Sequence, residues 1–272
     1  MIDFLLAPLE YHFMLRALVG AVLVGVMCPL VGAYVVTRNL AFIGDALAHA
    51  VLPGMVLGFM VGISPTIAAV PTGITVAMLV RVISRRAGLS ADTTIGILFA
   101  ATFALGLMML SMSSTITIDV EDLLMGQILG ISPASIYVSL AITGVVILGL
   151  FVFHHWLLFT SFDPVGSQVI GRRTHVVDYV LLILLALVIV VGIQAAGVIL
   201  VMAMLVIPAA TAYLLVGRFA SIMMTAAALG TAASVTGLYL SFHFNLPAGP
   251  AMTLVATGIF LLVAAFRRKV FN

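Results

Sequence analysis

Apolar residues in this chain run on for about twenty positions at a time, separated by short polar gaps. Nine such runs fall at about 12–36, 40–63, 65–83, 93–112, 133–159, 177–195, 198–216, 220–242 and 250–266. As helices rising about 1.5 Å per residue, they suit a hydrocarbon layer about 30 Å thick. The pattern predicts an all-α, polytopic transmembrane bundle of about nine helices. Eight is the competing count, if one of the adjoining segments near Ala195 and Val198 is re-entrant.

Composition agrees with the pattern. The chain is 64% hydrophobic and 7% charged, where soluble domains carry about 25% charged residues, and its mean hydropathy is +1.35. The longest polar interruption, 160–178, is only a loop, so residues 1–272 read as one transmembrane domain. The start, Met1-Ile2-Asp3-Phe4, lacks the basic region and small-residue cleavage site of a signal peptide. The first span is therefore expected to stay in the mature protein.

Net charge is only +2, and its placement says more than its sum. Arg38, Arg81, Arg85, Arg86, Arg172, Arg173, Arg218, Arg267, Arg268 and Lys269 fall in gaps or at the C-terminal end. Threading nine spans with the N-terminus outside puts every one of these on the cytoplasmic side, as the positive-inside rule demands. Asp119, Glu121 and Asp122, and the stretch 244–249, then lie outside. Nothing supports nucleic-acid binding. The single cysteine, Cys28, lies in an apolar run, has no internal disulfide partner and reads as a small buried hydrophobe.

Against this background one pair stands out. Gly44-Asp45-Ala46-Leu47-Ala48-His49 places a carboxylate and an imidazole at i and i+4, on one helix face. No other ionisable side chain occurs between Leu40 and Ile63. An acid inside a membrane is costly and marks a functional group by default, and carboxylate with imidazole suits a divalent first-row metal. The competing reading is a private Asp–His hydrogen bond bridging helices. Pro53, four residues after His49, cannot donate to the His49 carbonyl and is expected to loosen the helix there. Gly54, Gly58 and Gly62 recur every four residues, a small-residue stripe that lets a neighbouring backbone approach.

Two ligands do not complete a divalent site, which usually has four to six. A symmetry-related Asp45 and His49 in a homodimer, water, or another span could supply the rest. Asp119 and His243 are weaker, outward-facing candidates, each balanced by an ordinary interfacial role. Met108, Met109, Met112, Met202, Met204, Met223 and Met224 could suggest a thioether path for Cu(I), but they show no facing pattern and read as packing. The sole lysine, Lys269, stands outside any Gly-x4-Gly-Lys-Ser/Thr loop, so this chain has no Walker A site for ATP. Active transport would need an ion gradient or a separate ATPase chain. Ser161-Phe162-Asp163-Pro164 through Gly171 reads as a short cytoplasmic helix, with Asp-Pro as its start and Gly171 as its stop. It is either a contact for a partner or a plain connector.

In order along the chain, these residues resemble a family: the membrane permeases of metal-ion ABC importers for manganese, zinc and iron. The resemblance rests on Gly44 through Gly54, Asp92-Thr93-Thr94-Ile95-Gly96-Ile97-Leu98-Phe99 and Asp119 through Gly126. It continues through Phe162-Asp163-Pro164 to Gly171, Ala203 through Ala212, and Pro247-Ala248-Gly249-Pro250. It implies a type II-like ABC importer permease, homodimeric, in a prokaryotic cell membrane, and a transport subunit rather than an enzyme. It also implies cytoplasmic ATP-binding subunits, an extracytoplasmic metal-binding protein, and a coupling role for Phe162, Asp163, Pro164 and Gly171. The cargo would be a transported divalent ion, with no covalently bound cofactor. Ala50-Val51-Leu52-Pro53-Gly54 looks more like the manganese and iron branch than the zinc branch, so Mn(II) is the expected cargo, with Zn(II) or Fe(II) as alternatives. A stand-alone ion-coupled metal transporter is the competing class. Two departures stand against the family pattern: Val165, where an acid is frequent, and Asn245, where Asp can occur.

Overall fold

A computed structural model describes residues 7–112, 133–169 and 174–270. After a 3-10 turn at Ala7–Glu10 come α1 (His12–Thr37), α2 (Ala41–Ala50), α3 (Leu52–Val61), α4 (Pro65–Ala87) and α5 (Ala91–Met112). They are followed by α6 (Pro133–Phe162), α7 (Pro164–Val169), α8 (Thr174–Ala196), α9 (Val198–Leu215), α10 (Phe219–Phe244) and α11 (Ala248–Val270). No strand occurs among the described residues. Nine spans among them are long and apolar enough to cross a membrane, α2 and α3 together forming one of these, Ala41–Val61. Helices are the economical answer to such a sequence, because each satisfies its own backbone polar groups where water cannot.

The helix ends have local causes. Gly62, Gly88 and Asn245 adopt the left-handed conformation at the C-terminal ends of α3, α4 and α10, with φ of 74°, 66° and 51°. Asn tolerates this conformation better than most residues, which gives Asn245 a structural task. Gly197, at φ 82° and ψ 165°, occupies a region essentially closed to other residues. It joins α8 directly to α9, and a Cβ on Gly192 would come within 2.5 Å of Val201 Cγ2. The junction near Ala195 is thus a one-residue connection between two long helices, and the nine-span count holds among the described residues.

The chain forms two compact units. One comprises Met1–Val36, Val120–Gly144 and Gly192–Asn272. Within it α9, α10 and α11 pack on one another, and α1 joins through glycines. A Cβ on Gly25 would lie 2.9 Å from both Thr231 Cα and Ser234 Oγ, and one on Gly32 would collide with the Leu205 carbonyl. Tyr34 is fully buried, its ring centroid 4.8 Å from that of Phe219. Backbone meets backbone here, with no flexible side chain to yield. Gly32→Val is therefore expected to cost about 1–3 kcal/mol of stability through overpacking, read as a lower thermal midpoint of the detergent-purified protein.

The second unit comprises Thr37–Asp119 and Val145–Val191. It contains α2 to α5 in mutual contact, the second half of α6, α7 and most of α8. Gly54 and Gly58 face α4: their added Cβ atoms would meet Thr72 and the Ala68 carbonyl, and Ala68 Cβ at 2.8 Å and Pro65 Cα at 3.0 Å. The close approach expected of the glycine stripe is present at these two positions. Gly62 does something else, ending α3 with nothing near its absent side chain. Ala41–Val61 is the most deeply buried of the nine spans.

Candidate metal pathway and coupling segment

Asp45 and His49 lie on α2, one turn apart. At about 1.5 Å per residue, Asp45 sits about 6 Å and His49 about 12 Å along the helix from Ala41. The helix then breaks at a single residue, Val51, which keeps helical geometry at φ −82° and ψ −7°. Pro53 falls in the first turn of α3, where a missing N–H is tolerated. The break that Pro53 predicts is therefore real and directly follows His49. At the break the Val51 N–H donates to the Leu47 carbonyl at 3.3 Å.

His49 Nε2 stands 3.4 Å from Asp45 Oδ1. That is longer than a good hydrogen bond, which spans about 2.7–3.2 Å, so the private Asp–His bond finds little support. Both atoms could reach one ion with ligand distances near 2.1 Å, subtending an angle of about 108° at it. Two phenylalanines of α5 hold the imidazole: its centroid lies 5.5 Å from Phe99 and 5.4 Å from Phe103, edge-on to the latter. These rings are themselves stacked at 5.8 Å. Packed between α2 and α5, they restrict the histidine ring without using either of its nitrogens. The Asp45 side chain remains 46% exposed and that of His49 20%. Among the described residues no group of three or more His, Cys, Asp or Glu gathers to hold a metal. The pair thus offers two potential ligand atoms, open at the surface of the chain.

The other sequence candidates are dispersed. Asp119 lies outside the described residues, as does Gly171. His243 occupies the last turn of α10, with its ring edge-on to Phe242 at 5.4 Å. Tyr11, Phe13 and Phe242 form an aromatic cluster beside it, with Phe242 5.8 Å from Tyr11. The methionines do not converge: Met108, Met112 and Met224 are exposed, while buried Met204 accepts a contact from Ser234 at 3.7 Å. Of these, Met204 packs in the core. Cys28 is buried and free, a small hydrophobe as expected.

At the candidate coupling segment, α7 begins at Pro164, and Asp163 Oδ1 accepts from the Gly166 N–H at 2.7 Å. The Ser167 N–H donates to the Asp163 carbonyl at 3.1 Å. Asp-Pro thus starts a helix as its chemistry predicts. Phe162 and Val165 leave 60% and 70% of their surface exposed. Two large apolar side chains beside a six-residue helix form a surface suited to another protein. Val165, the departure from the family pattern, contributes to that apolar character.

Sequence reading did not foresee a charge cluster at the nearby helix ends. Arg38, in the turn between α1 and α2, donates from Nη1 to Asp178 Oδ1 at 2.7 Å. Arg81 of α4 donates from Nη2 to the other Asp178 oxygen. Arg38 also donates from Nε to Ser161 Oγ at 2.8 Å and from Nη2 to Thr160 Oγ1 at 2.6 Å. These groups line a cavity of about 330 Å³ together with Leu40, Ile43, Ser84 and Leu182. The only advance signal was an acid, Asp178, at the basic end of an apolar run.

Comparison with known proteins follows this geometry. Residues 10–267 match the family model described as the ABC 3 transport family. The manganese transport system membrane protein MntC of Halalkalibacterium halodurans is 38% identical, covering 96% of this chain and 89% of that protein. A probable iron transport system membrane protein of Haemophilus influenzae is 37% identical, covering 98% of each. The solved structure of PsaBC from Streptococcus pneumoniae in complex with Fab superimposes with a TM-score of 0.86 at 34% identity, covering 97% of this chain and 95% of that one. With a family match along nearly its whole length and a helical bundle to fit it, the chain belongs to the ABC 3 transport family and is a multi-pass membrane permease of the metal-importer kind.

Proposed function

We propose that this chain is the permease subunit of a binding-protein-dependent, ATP-driven importer of divalent metal ions in a prokaryotic plasma membrane, with Mn(II) as its cargo. The observation that carries the reading is the Asp45–His49 pair: one oxygen and one nitrogen 3.4 Å apart, backed by Phe99 and Phe103, in the most buried span. A second copy of the chain would add the same two atoms, giving a mixed N2O2 set suited to Mn(II) and Fe(II). The relatives named for manganese favour Mn(II), and the relative named for iron favours Fe(II) as the second reading. ATP would be hydrolysed on separate cytoplasmic subunits docked at Phe162, Asp163, Pro164 and Gly171, and an extracytoplasmic protein would deliver the metal.

The test is reconstitution. The permease, co-expressed with an ATP-binding chain of an importer of this kind, is placed in liposomes with ATP inside and metal-loaded binding protein outside. ATP-dependent accumulation of radiolabelled Mn(II), reduced by excess unlabelled Mn(II) more than by Zn(II), is the expected result. Accumulation driven by a proton gradient without ATP would move the chain to the secondary-transporter class.

A further inference from the structure

Arg38 occupies an unusual place. It follows the last residue of α1 and precedes α2 by three positions, in a turn closed by Asn39 at φ 54°. Its guanidinium contacts two other helices at once. Toward α6 it reaches Ser161 Oγ at 2.8 Å, Thr160 Oγ1 at 2.6 Å and the Leu157 carbonyl at 3.4 Å. Toward α8 it reaches Asp178 Oδ1 at 2.7 Å. Asp178 in turn binds Arg81 of α4, so one carboxylate gathers two guanidinium groups. The Arg38 and Asp178 side chains are only 12% and 19% exposed, which shields the pair from the screening that weakens surface ion pairs.

The two ends of this network touch the two functional segments. Thr160 and Ser161 form the last turn of α6, and Phe162, Asp163 and Pro164 come next. On the other side Arg38 leads straight into α2, with Asp45 seven and His49 eleven positions onward. All of these residues belong to one compact unit.

We infer that Arg38 is a positioning residue for transport, transmitting movement of the α7 segment to the helix that carries Asp45 and His49. A planar fork of fixed donors can hold Ser161, Thr160 and Asp178 together, whereas the single ammonium of lysine cannot span them. A displacement of the α6–α7 corner must pull on Arg38 or break its bonds, and Arg38 is covalently continuous with α2. The two Asp178 bonds keep Arg38 registered against α4 and α8, so that the pull is directed into α2 instead of being lost in side-chain motion. Coupling through packed, hydrogen-bonded elements is the physical form such transmission takes.

The inference rests on the proposed assembly with ATP-binding subunits, and its first readout does not need a metal. In the full complex, binding of a non-hydrolysable ATP analogue is followed by amide hydrogen exchange in α7 and in α2. In the wild type both segments are expected to respond. In Arg38→Lys, α7 is expected to respond as before while the change in α2 falls by about tenfold, and metal imported per ATP hydrolysed falls by a similar factor. Thr160→Val with Ser161→Ala leaves the ion pair in place and serves if Arg38→Lys folds poorly. Its loss is expected to overlap with that of Arg38→Lys, so that the combined variant is no worse than the more affected parent. Arg85→Lys, on the exposed face of α4, is expected to behave as wild type. A full α2 response in Arg38→Lys or in the double hydroxyl variant would overturn the inference, as would simple additivity of their losses. Failure of the Mn(II) reading looks different: the wild-type complex would show both exchange responses but no Mn(II) uptake.

Discussion

A well-expressed Asp45→Asn/His49→Ala double variant is expected to lose metal uptake, by about a hundredfold or more, while still assembling with its partners. The size of the effect follows from chemistry: changing groups that merely orient ligands costs about 10–100-fold in metal affinity or activity, and here both ligand heads go at once. The sparing of assembly follows from geometry. Asp45 is almost half exposed, and its distance to His49 is too long for a strong bond, so neither head is a pillar of the fold. The His49 ring does pack against Phe99 and Phe103, and its removal is expected to lower thermal stability modestly. His49→Gln retains more of that volume and separates the two effects. Uptake of radiolabelled Mn(II) into liposomes, normalised to complex recovered, is the measurement. Normal accumulation by the double variant would remove the pair from the pathway.

The second large effect is expected at α7. Asp163→Ala with Pro164→Gly should abolish the helix start, weaken capture of the ATP-binding subunits and reduce stimulated ATP hydrolysis, with metal binding to the permease spared. The cap from Asp163 to the Gly166 N–H contributes about 1 kcal/mol, and Pro164 supplies a helical φ at no ordering cost. In a long helix that loss would be minor. For a helix of six residues it is decisive, because so short a segment does not sustain itself. Once α7 unravels, Phe162 and Val165 no longer present a joint apolar surface. Co-purification of the two subunits and ATP hydrolysis with loaded binding protein would measure the change. Unchanged values in both would make this loop a plain connector.

These two candidate sites were legible in the sequence to different depths. Asp45 and His49 announced themselves because an ionisable pair in a long apolar run has few innocent explanations, and i,i+4 spacing is a property of any helix. Asp163 and Pro164 were legible because capping chemistry is local. The rings that orient His49 were not: Phe99 and Phe103 sit among many apolar residues of α5, and nothing in their own neighbourhood marks them. Gly62 looked like the third member of a packing stripe, yet it ends α3, since spacing alone does not distinguish a contact from a cap.

What the sequence by itself determined was everything one-dimensional. Apolar runs set the nine spans to within a few residues, basic gaps set the expected orientation, Pro53 set the break after His49, and the lone Lys269 left this chain without a Walker A loop. Each follows from solvation or backbone chemistry over a few consecutive turns. What only the tertiary structure decided was partnership at a distance. Arg38 meets Ser161 across 123 positions and Asp178 across 140, and Gly32 meets Leu205 backbone to backbone. No periodicity encodes such contacts. Whether two helices approach, and with which residues in register, depends on how every side chain between them packs, and that sum is made only when the chain has folded.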